Sequence, residues 1–456
     1  MWHGGMTEPR RRHSGVAMKK SFGLLLLLTL TACGSGSDAP DAGSAAAPES
    51  VGFSRDGLNA LSRNLQGLVD KGRVAGMVTM LVRNGEVAQF ETFGSQDIEA
   101  HVPMEPDTIF RIYSMTKPVT GVAMMILRER GLWSLDDPVS KFVPEFASLD
   151  VAVESENGGI TRVPADHPMT MRELMTHTGG LTYGFSESAV DTMYRQANLA
   201  DRNSSLQTMI DKLARIPLRY QPGSLWHYSI SVDVQGHIVE KLSGQTLPEF
   251  FAEHIFERLG MVDTGFYVPA EKAGRLATVV YDYGPNGELV PNPGLIGDFS
   301  APPALHSGGA GLVSTVSDYM RFARMLVDGG ELDGARILSA ESVAFMRTNH
   351  APTTTEAEGD VTLGPGMGFG MDVAVIVDPA AVQTPVGPGS PVGPGTFLWT
   401  GMAGTWFWVD PTNDVAFVGM AQHDFADIVE FLALTQQWVY QALIDPGTET
   451  STQTSR

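Results

Sequence analysis

The sequence contains a single cysteine, Cys33, among its 456 residues. One thiol cannot form a disulfide within the chain, so covalent cross-links do not stabilise this fold. None of the 11 histidines lies in a His-x-x-x-His pair, and the lone cysteine cannot complete a Cys/His cluster of the kind that holds zinc. A glycine loop suited to phosphate is absent as well. The sequence therefore predicts neither a metal ion nor any other cofactor.

Positive charge is also scarce, because 31 Lys and Arg residues stand against 52 Asp and Glu residues, a formal net charge of −21. Such a balance repels phosphate backbones and anionic lipid surfaces, and mainly favours solubility. Hydrophobic residues make up 43% of the chain, enough for a large core. We therefore expect a folded protein that binds a small molecule rather than nucleic acid. The oligomeric state does not follow from the sequence.

The apolar run near the N-terminus, Phe22–Leu28, is too short to cross a bilayer as a helix. It follows the basic Met18-Lys19-Lys20 and precedes Leu30-Thr31-Ala32-Cys33, which is the pattern of a signal peptide. The last four residues resemble a bacterial lipobox, which implies lipidation of Cys33 and an exported lipoprotein of the periplasm or cell envelope. The membrane is then touched only through this anchor. The alternative is an ordinary cleaved signal that leaves a soluble periplasmic protein; residues before Met18 indicate an upstream start or a cloning artefact.

A Gly-x-Ser-x-Gly nucleophile elbow is missing, which removes the simplest form of a Ser-His-Asp hydrolase. The chain instead carries Ser114-Met115-Thr116-Lys117 at the start of the apolar run Val122–Leu127. On a helix, residues i and i+3 share one face, so Ser114 Oγ and Lys117 Nζ can meet as nucleophile and base. The free N–H groups of a helix N-terminus also favour a developing oxyanion.

The sequence pattern predicts helices in some segments of the chain and strands in others. A helix is predicted from about Leu58, then a hairpin over 77–90, and three helices over 171–177, 232–242 and 248–259. Towards the C-terminus, 313–326 indicates a helix, whereas Gly368–Val377, 405–409 and 415–420 indicate strands before a final helix over 428–443. The segment Pro379–Thr396 is rich in proline and glycine and predicts a long irregular loop bordering a site.

These patterns predict an α/β fold, with an antiparallel sheet flanked by helices and interrupted by a mostly helical insertion. The predicted α/β domain comprises 51–113 and 304–445, and the helical domain comprises 114–303. Residues 1–33 are assigned to upstream residues plus the signal peptide, 34–50 to a flexible tether, and 446–456 to a disordered tail.

A second motif, Pro222-Gly223-Ser224-Leu225-Trp226-His227-Tyr228-Ser229, lies downstream of Ser114. With Leu174–Leu181, His306–Leu312 and Gly401–Thr405 in this order, the chain resembles the serine β-lactamase and penicillin-binding-protein superfamily. Within it, the chain looks like the class C β-lactamase-like esterases called family VIII carboxylesterases. The resemblance spans roughly Ser50 to Leu443 and implies the serine β-lactamase/penicillin-binding-protein-like fold.

The resemblance implies roles for individual residues. Ser114 is the acylated nucleophile, Lys117 its base or base partner, and Tyr228 the tyrosine of the Tyr-x-Asn motif, which relays a proton to the leaving alkoxide. Whether Lys117 or Tyr228 begins as the base stays open. The backbone N–H groups of Ser114 and Met402 are the expected oxyanion donors. The pocket residues expected from sequence are Tyr113, Tyr183, Ile230, Trp399, Thr400 and Gly401.

Two departures from the superfamily pattern point to the substrate. Ile230 stands where Tyr-x-Asn has its asparagine, and Trp399-Thr400-Gly401 replaces Lys-Thr-Gly. An isoleucine and a tryptophan cannot pair with the amide and carboxylate of a β-lactam antibiotic, and they suit an apolar ester better.

The sequence thus predicts a serine esterase that hydrolyses carboxylic esters, of short acyl chains by family analogy, with weak hydrolysis of cephalosporin-type compounds alongside. The rivals are a β-lactamase or D-Ala-D-Ala peptidase, and a non-catalytic lipoprotein that binds cell-wall fragments. Intact Ser114, Lys117 and Tyr228 argue against the last of these.

Overall fold

The computed structural model describes residues 45–155, 159–295, 297–352, 363–424 and 427–444, all within one unit that spans 42–456. The helices are α1 Arg55–Asp70, α2 Thr116–Glu129, α3 Met171–Met175, α4 Ala189–Ala197, α5 Leu206–Leu213, α6 Ser231–Ser243, α7 Leu247–Phe251, α8 Glu257–Leu259, α9 Val316–Val327, α10 Ala340–Met346 and α11 Ile428–Ala442.

The strands are β1 Gly76–Arg83, β2 Glu86–Asp97, β3 Val102–Pro103, β4 Phe110–Arg111, β5 Asp150–Glu154, β6 Ile160–Pro164, β7 Tyr281–Tyr283, β8 Leu289–Pro291, β9 Val313–Ser314, β10 Glu331–Leu332, β11 Ala335–Arg336, β12 Met367–Phe369, β13 Ala374–Ile376, β14 Gln383–Thr384, β15 Gly387–Pro388, β16 Phe397–Gly401, β17 Thr405–Asp410 and β18 Val415–Ala421.

One eight-stranded sheet organises the fold, in the order β12-β13-β16-β17-β18-β1-β2-β3. Every neighbouring pair in it is antiparallel. Segments far apart in sequence meet where β1 pairs with β18, with Thr79 opposite Gly419. Strands β1, β17 and β18 are buried along their whole length, since helices cover both faces of the sheet. The sheet therefore depends on distant segments of the chain.

Strand β17 shows which helices cover which face. The indole N–H groups of Trp406 and Trp408 both donate to Thr435 Oγ1 of α11. Phe407, between them, packs against Tyr319 of α9 with ring centroids 5.2 Å apart. Because successive strand side chains point to opposite faces, α11 and α9 lie on opposite sides of the sheet. Helix α1 packs with α11, and α9 packs on β1, β17 and β18. Tyr319 of α9 also donates a hydrogen bond to the Met115 carbonyl, next to Ser114.

Local sequence explains where the first helix forms. The Ser54 side chain accepts a hydrogen bond from Gly57 N–H at 3.0 Å, which caps α1. Leu58, Leu61 and Leu65 repeat at helical spacing and are buried against the sheet. The helix predicted from about Leu58, the hairpin over 77–90 and the closing helix are confirmed by α1, by β1 and β2, and by α11.

The prediction of a single strand over Gly368–Val377 was wrong. The structure forms two short strands, β12 and β13, which pair with each other as Gly368 with Val375. The chain reverses through a turn in which Asp372 adopts φ +60°, a left-handed backbone that carboxyl and amide side chains tolerate better than most. Both arms are apolar and buried, so hydropathy alone did not show the reversal.

The proposed division into an α/β domain and a helical domain stays a prediction. The large sheet does draw its strands from 76–103 and 367–421, at the two ends of the chain. The segment 1–33, most of the 34–50 tether and the 446–456 tail lie outside the described residues. Within the described residues, no helix combines the length and the apolar character needed to cross a bilayer. The same residues place no cluster of three metal-binding side chains together.

Candidate active site

Ser114 lies in a tight 3-10 turn, Tyr113–Met115, directly before α2. The turn is held from the β9 side, where Ile112 N–H donates to the Leu312 carbonyl at 3.1 Å, and from α9, where Tyr319 donates to the Met115 carbonyl at 2.9 Å. Tyr113 has φ +40°, a left-handed conformation that an aromatic residue rarely adopts. The nucleophile therefore sits on a fixed turn next to a strained residue.

Lys117 is fully buried one helical turn after Ser114. Its Nζ donates to Ser114 Oγ at 3.2 Å, to the Tyr183 hydroxyl at 3.0 Å and to the Gly309 carbonyl at 2.8 Å. Three acceptors match the three N–H bonds of an ammonium group. The sequence prediction that Ser114 and Lys117 approach each other is confirmed as geometry.

Tyr228 approaches Ser114 from the opposite side, from the loop that precedes α6. Its hydroxyl donates to Ser114 Oγ at 2.8 Å, although the two residues are 114 positions apart in sequence. The ring packs against Trp399 with centroids 5.4 Å apart and against His177 at 5.0 Å. Lys117 Nζ lies 4.7 Å from the centroid of the Tyr228 ring. The structure therefore brings the three predicted catalytic side chains together, while their chemical roles stay predictions.

Tyr183, predicted only as a pocket residue, is part of this network. Besides accepting from Lys117, its hydroxyl donates to Asp233 Oδ2 at 3.4 Å. Burial, with further contributions from Asp233 and Tyr228, raises the pKa of Tyr183 well above its usual range. Tyr183 therefore stays a neutral phenol at physiological pH. It can position the Lys117 amine, but it is poorly suited to remove a proton.

Sequence reasoning missed Asp233, which anchors this side of the site. Its Oδ1 accepts from Ser307 Oγ at 2.5 Å and from Gly309 N–H at 3.2 Å, so it fixes the loop whose carbonyl binds Lys117. Asp233 is 4% exposed on the first turn of α6. A weak signal was available, because Asp233 is the one carboxylate in 230–239, where five of the ten residues are aliphatic, and buried charges require partners.

His177 lies in a left-handed turn beside Tyr228, with φ +55°. Its Nδ1 accepts from Ser229 N–H at 3.2 Å. Burial lowers the pKa of His177 well below its usual value, with Lys117 and His227 adding to the effect. The ring is therefore a neutral packing partner of Tyr228.

The C-terminal end of strand β16 packs against the residue that precedes the Ser114 turn. A Cβ atom at Gly401 would lie 2.2 Å from the Ile112 carbonyl, so only glycine permits this approach. Thr405 Oγ1 also donates to the Ile112 carbonyl, at 3.3 Å. Met402 follows in the turn between β16 and β17 and lines the same cavity as Ser114. The oxyanion roles of the Ser114 and Met402 N–H groups stay predictions that this placement suits.

A cavity of about 420 Å³ opens at Ser114. Its size falls in the range of about 300–1,000 Å³ that small-molecule sites occupy. Strands β13 and β16, the β14–β15 hairpin and α11 form its walls. Seven of the residues predicted from sequence line it, namely Tyr113, Ser114, Tyr183, Tyr228, Trp399, Thr400 and Met402. The predicted loop Pro379–Thr396 therefore borders the site, through Val382, Gln383 and Thr384.

Two predicted pocket residues are placed differently. Ile230 is 4% exposed and lines a neighbouring cavity of about 330 Å³, which shares Tyr113, Tyr183 and Ala310 with the first. Gly401 acts through its close backbone contact with Ile112 and is absent from the cavity lining among the described residues. The apolar character that we assigned to the Ile230 position is present, but it belongs to the adjoining space.

Comparisons with known proteins identify the family of this chain. A sequence profile of the Beta-lactamase family matches residues 61–432. The chain is 37% identical over 375 residues to Uncharacterized protein MT1414 of Mycobacterium tuberculosis, covering 80% of this chain and 90% of that protein. It is 34% identical over 361 residues to Esterase EstB of Burkholderia gladioli, covering 74% of this chain and 85% of that protein.

Among solved structures, EstCE1, a hydrolase with promiscuous acyltransferase activity, superposes with a TM-score of 0.68 at 28% identity. The match covers 84% of this chain and 99% of that chain. An octameric penicillin-binding protein homologue from Pyrococcus abyssi matches with a TM-score of 0.60 at 23% identity, over 85% of this chain and 79% of that one. The predicted fold class, an antiparallel sheet flanked by helices, is confirmed by these matches and by the sheet itself.

Proposed function

We propose that this chain, which belongs to the Beta-lactamase family and is related there to the family VIII carboxylesterases, hydrolyses carboxylic esters through an acyl-enzyme on Ser114. The observation that carries the proposal is the position of Ser114 Oγ, 3.2 Å from Lys117 Nζ and 2.8 Å from the Tyr228 hydroxyl, at the wall of an apolar cavity. A hydroxyl flanked by an amine and a phenol can lose its proton to one of them as it attacks a carbonyl carbon.

In the first step, Ser114 Oγ bonds to the ester carbonyl carbon, and its proton moves to Lys117 or Tyr228, whichever begins in the basic form. The carbonyl oxygen becomes an oxyanion that accepts from the Ser114 and Met402 N–H groups. The tetrahedral intermediate then collapses, the C–O bond to the alcohol breaks, and the leaving oxygen takes the proton from the same pair. The acyl group remains on Ser114.

In the second step, water attacks the acyl carbon and gives a proton to the Tyr228–Lys117 pair. The Ser114 oxygen leaves and recovers that proton, which releases the carboxylic acid. Tyr183 and Asp233 support both steps by holding Lys117 and the Gly309 carbonyl in place. No cofactor enters this scheme.

Esters are favoured over β-lactams by the lining of the site. Trp399 is 8% exposed, with its ring against Tyr228 and Phe369, where the superfamily pattern has a lysine. An indole offers no positive charge to the carboxylate of an antibiotic. We expect hydrolysis of carboxylic esters and at most weak hydrolysis of cephalosporin-type compounds.

Acyl transfer to an alcohol is a second candidate. EstCE1 is a hydrolase with promiscuous acyltransferase activity, and an acyl-enzyme can pass its acyl group to an alcohol in place of water. Adding methanol during ester turnover measures the partition, because methyl ester appears alongside the acid only if the transfer occurs.

One panel tests the proposal against its rivals. p-Nitrophenyl esters, a chromogenic cephalosporin and a D-Ala-D-Ala peptide are assayed with the wild-type chain and with Ser114→Ala. Ester turnover that depends on Ser114, with a mass increase of one acyl group on the intact protein, is the expected result. Absence of ester turnover, or turnover that survives Ser114→Ala, contradicts the proposal. Preferred cleavage of the peptide or cephalosporin supports the peptidase or β-lactamase alternative.

We also propose that the protein is exported and anchored through lipidated Cys33, which lies outside the described residues. Labelling of cells with an alkyne fatty acid tests this, since the wild-type chain should carry the label and Cys33→Ser should not. Absence of label on the wild-type chain overturns it.

A further inference from the structure

We propose that the acyl group this site prefers is large and apolar and carries a hydroxyl group, which hydrogen-bonds to the side-chain amide of Gln436. The inference rests on the proposed function, in that Ser114 is the residue acylated. It goes further by assigning a substrate class to the cavity beside Ser114 and a specificity-determining role to a residue of the C-terminal helix.

The size and chemistry of the cavity exclude a site built for acetate alone. Its volume is about 420 Å³, and apolar side chains from several elements form most of its surface. They come from the outer strands, from the hairpin and from α11, and they include Ala374, Ile376, Val382, Leu398, Leu432 and Ala433. A two-carbon acyl group would leave most of these walls in contact with water. A longer chain removes that water, with about 0.8 kcal/mol of favourable transfer free energy for each CH₂ buried.

Gln436 departs from the apolar character of these walls. It lines the cavity from α11 and is only 2% exposed, yet its Nε2 has no hydrogen-bond partner among the described residues. Its Oε1 accepts from Ser390 Oγ at 3.4 Å, and Ser390 follows the β14–β15 hairpin. A buried polar group without a partner is costly, so a ligand group that pairs with it gains binding free energy.

A hydroxyl is the ligand group that fits Gln436 in either orientation of its amide. With Nε2 towards the cavity, a ligand oxygen accepts from it. With the amide rotated by 180°, Oε1 faces the cavity and a ligand hydroxyl donates to it. Ser390 Oγ can serve either orientation, because a hydroxyl both donates and accepts. A carboxylate suits the position less well, because the surrounding walls are aliphatic and would leave a charge poorly solvated.

Both parts of the inference are tested by kcat/KM on p-nitrophenyl esters. The series is acetate, butyrate, octanoate and the octanoates with one hydroxyl at carbon 5, 6, 7 or 8. We expect octanoate to exceed acetate by at least tenfold, and one hydroxyoctanoate to exceed octanoate about fivefold to tenfold, the gain of a single buried hydrogen bond. Acetate preferred over octanoate overturns the inference. Equal or poorer turnover of every hydroxyoctanoate overturns the role of Gln436.

Variants then assign the effect to Gln436. Gln436→Met keeps the length of the side chain and removes its hydrogen bonds, so the preference for the hydroxyoctanoate should disappear. Gln437→Met makes the same change at the next residue of α11, outside the cavity lining, and should retain the preference. A preference that survives Gln436→Met overturns the assignment. If that variant does not fold, Gln436→Asn, which withdraws the amide by one methylene group, should reduce the preference.

Failure of the inference is distinguishable from failure of the proposed function. Ester turnover that depends on Ser114 but shows no preference for length or hydroxyl leaves the esterase intact and rejects the inference. Absence of ester turnover, or turnover that survives Ser114→Ala, rejects both.

Discussion

The rings of Tyr183 and Tyr228 lie 5.1 Å apart, but their hydroxyl groups contact different atoms of the site. The Tyr228 hydroxyl reaches Ser114 Oγ at 2.8 Å, whereas the Tyr183 hydroxyl lies 3.0 Å from Lys117 Nζ. The hydrogen-bonded chain therefore runs from Tyr183 through Lys117 and Ser114 to Tyr228. Only its two end members are of the same residue type.

This arrangement predicts unequal effects for the same substitution. Tyr228→Phe removes the phenol that contacts the nucleophile, so kcat should fall about 10²-fold to 10⁴-fold, the usual contribution of a general acid–base group. Tyr183→Phe removes a neutral hydroxyl that positions Lys117, and about a tenfold loss is expected. Steady-state kinetics on one p-nitrophenyl ester measures both, with circular dichroism as the control for folding. A larger loss from Tyr183→Phe would reverse the assignment.

Because β16 approaches the Ser114 turn closely, we expect that position 401 does not tolerate any side chain larger than that of glycine. In Gly401→Ala the new methyl group would meet the Ile112 carbonyl at 2.2 Å and Thr405 Oγ1 at 2.3 Å, so the strand or the turn must shift. We expect a loss of about 1–3 kcal/mol in the free energy of unfolding and a fall in kcat.

The matched control for this prediction is Gly67→Ala. Gly67 lies within α1, and beyond the backbone of its own helix no atom lies within 4 Å of the position its Cβ would take, so alanine should stabilise the helix by about 0.5–1 kcal/mol. Urea denaturation measures both free energies. Equal effects of the two substitutions would disprove the close contact.

The buried carboxyl group of Asp318 should make the free energy of unfolding depend on pH, independently of catalysis. Burial raises the pKa of Asp318 from 3.8 to about 6, against the opposing effect of hydrogen bonds from Asp263 N–H and Thr264. Because the folded state holds the proton more tightly than the unfolded state, the stabilisation is complete below pH 3.8. It is lost as the pH rises through 6.

Asp318→Asn removes this titration and can keep both bonds, since they fall on one oxygen, Oδ2. Between pH 4 and pH 7.5 the wild-type chain should lose about 2–3 kcal/mol of unfolding free energy relative to the variant. Urea denaturation at several pH values gives the difference, and a difference independent of pH contradicts the prediction.

We expect the side chain at position 399 to set the ratio of activity on β-lactam antibiotics to activity on esters. Trp399→Lys places a positive charge on β16, beside the cavity, and should raise the ratio of activity on carboxylate-bearing β-lactams to activity on esters. Trp399→Leu removes the indole without adding charge and serves as the control. If both variants leave the ratio unchanged, the replacement of the superfamily lysine does not account for the expected preference for esters.

The sequence predicts local geometry better than contacts between distant segments. Ser114 and Lys117 are three residues apart, so helical periodicity alone places them together. Tyr228 could be assigned only through its motif, because no local rule relates residues that are 114 positions apart. The hydrogen bonds that Asp233 accepts from Ser307 and Gly309 span more than 70 positions, so no local rule predicts them.

The β12–β13 reversal shows a second limit. Gly368–Val377 has the apolar character of one buried strand, and both arms of the hairpin are buried. The hydropathy pattern indicates that both strands are buried, but it does not indicate that the chain reverses direction between them. The turn depends on the backbone of Asp372, whose buried carboxylate accepts from Gln235 Nε2 at 3.0 Å, an interaction between segments 137 positions apart.

The cavity beside Ser114 has a consequence for how this enzyme can diversify. The groups that break bonds come from residues 114–228, whereas most of the aliphatic lining comes from residues 363–436. Changes in the outer strands, the hairpin or α11 can therefore reshape the accepted acyl group and leave the bond-breaking groups in place. Directed evolution confined to the lining residues of these elements, with Gly401 and Met402 kept unchanged, should yield new ester selectivities with little loss of turnover.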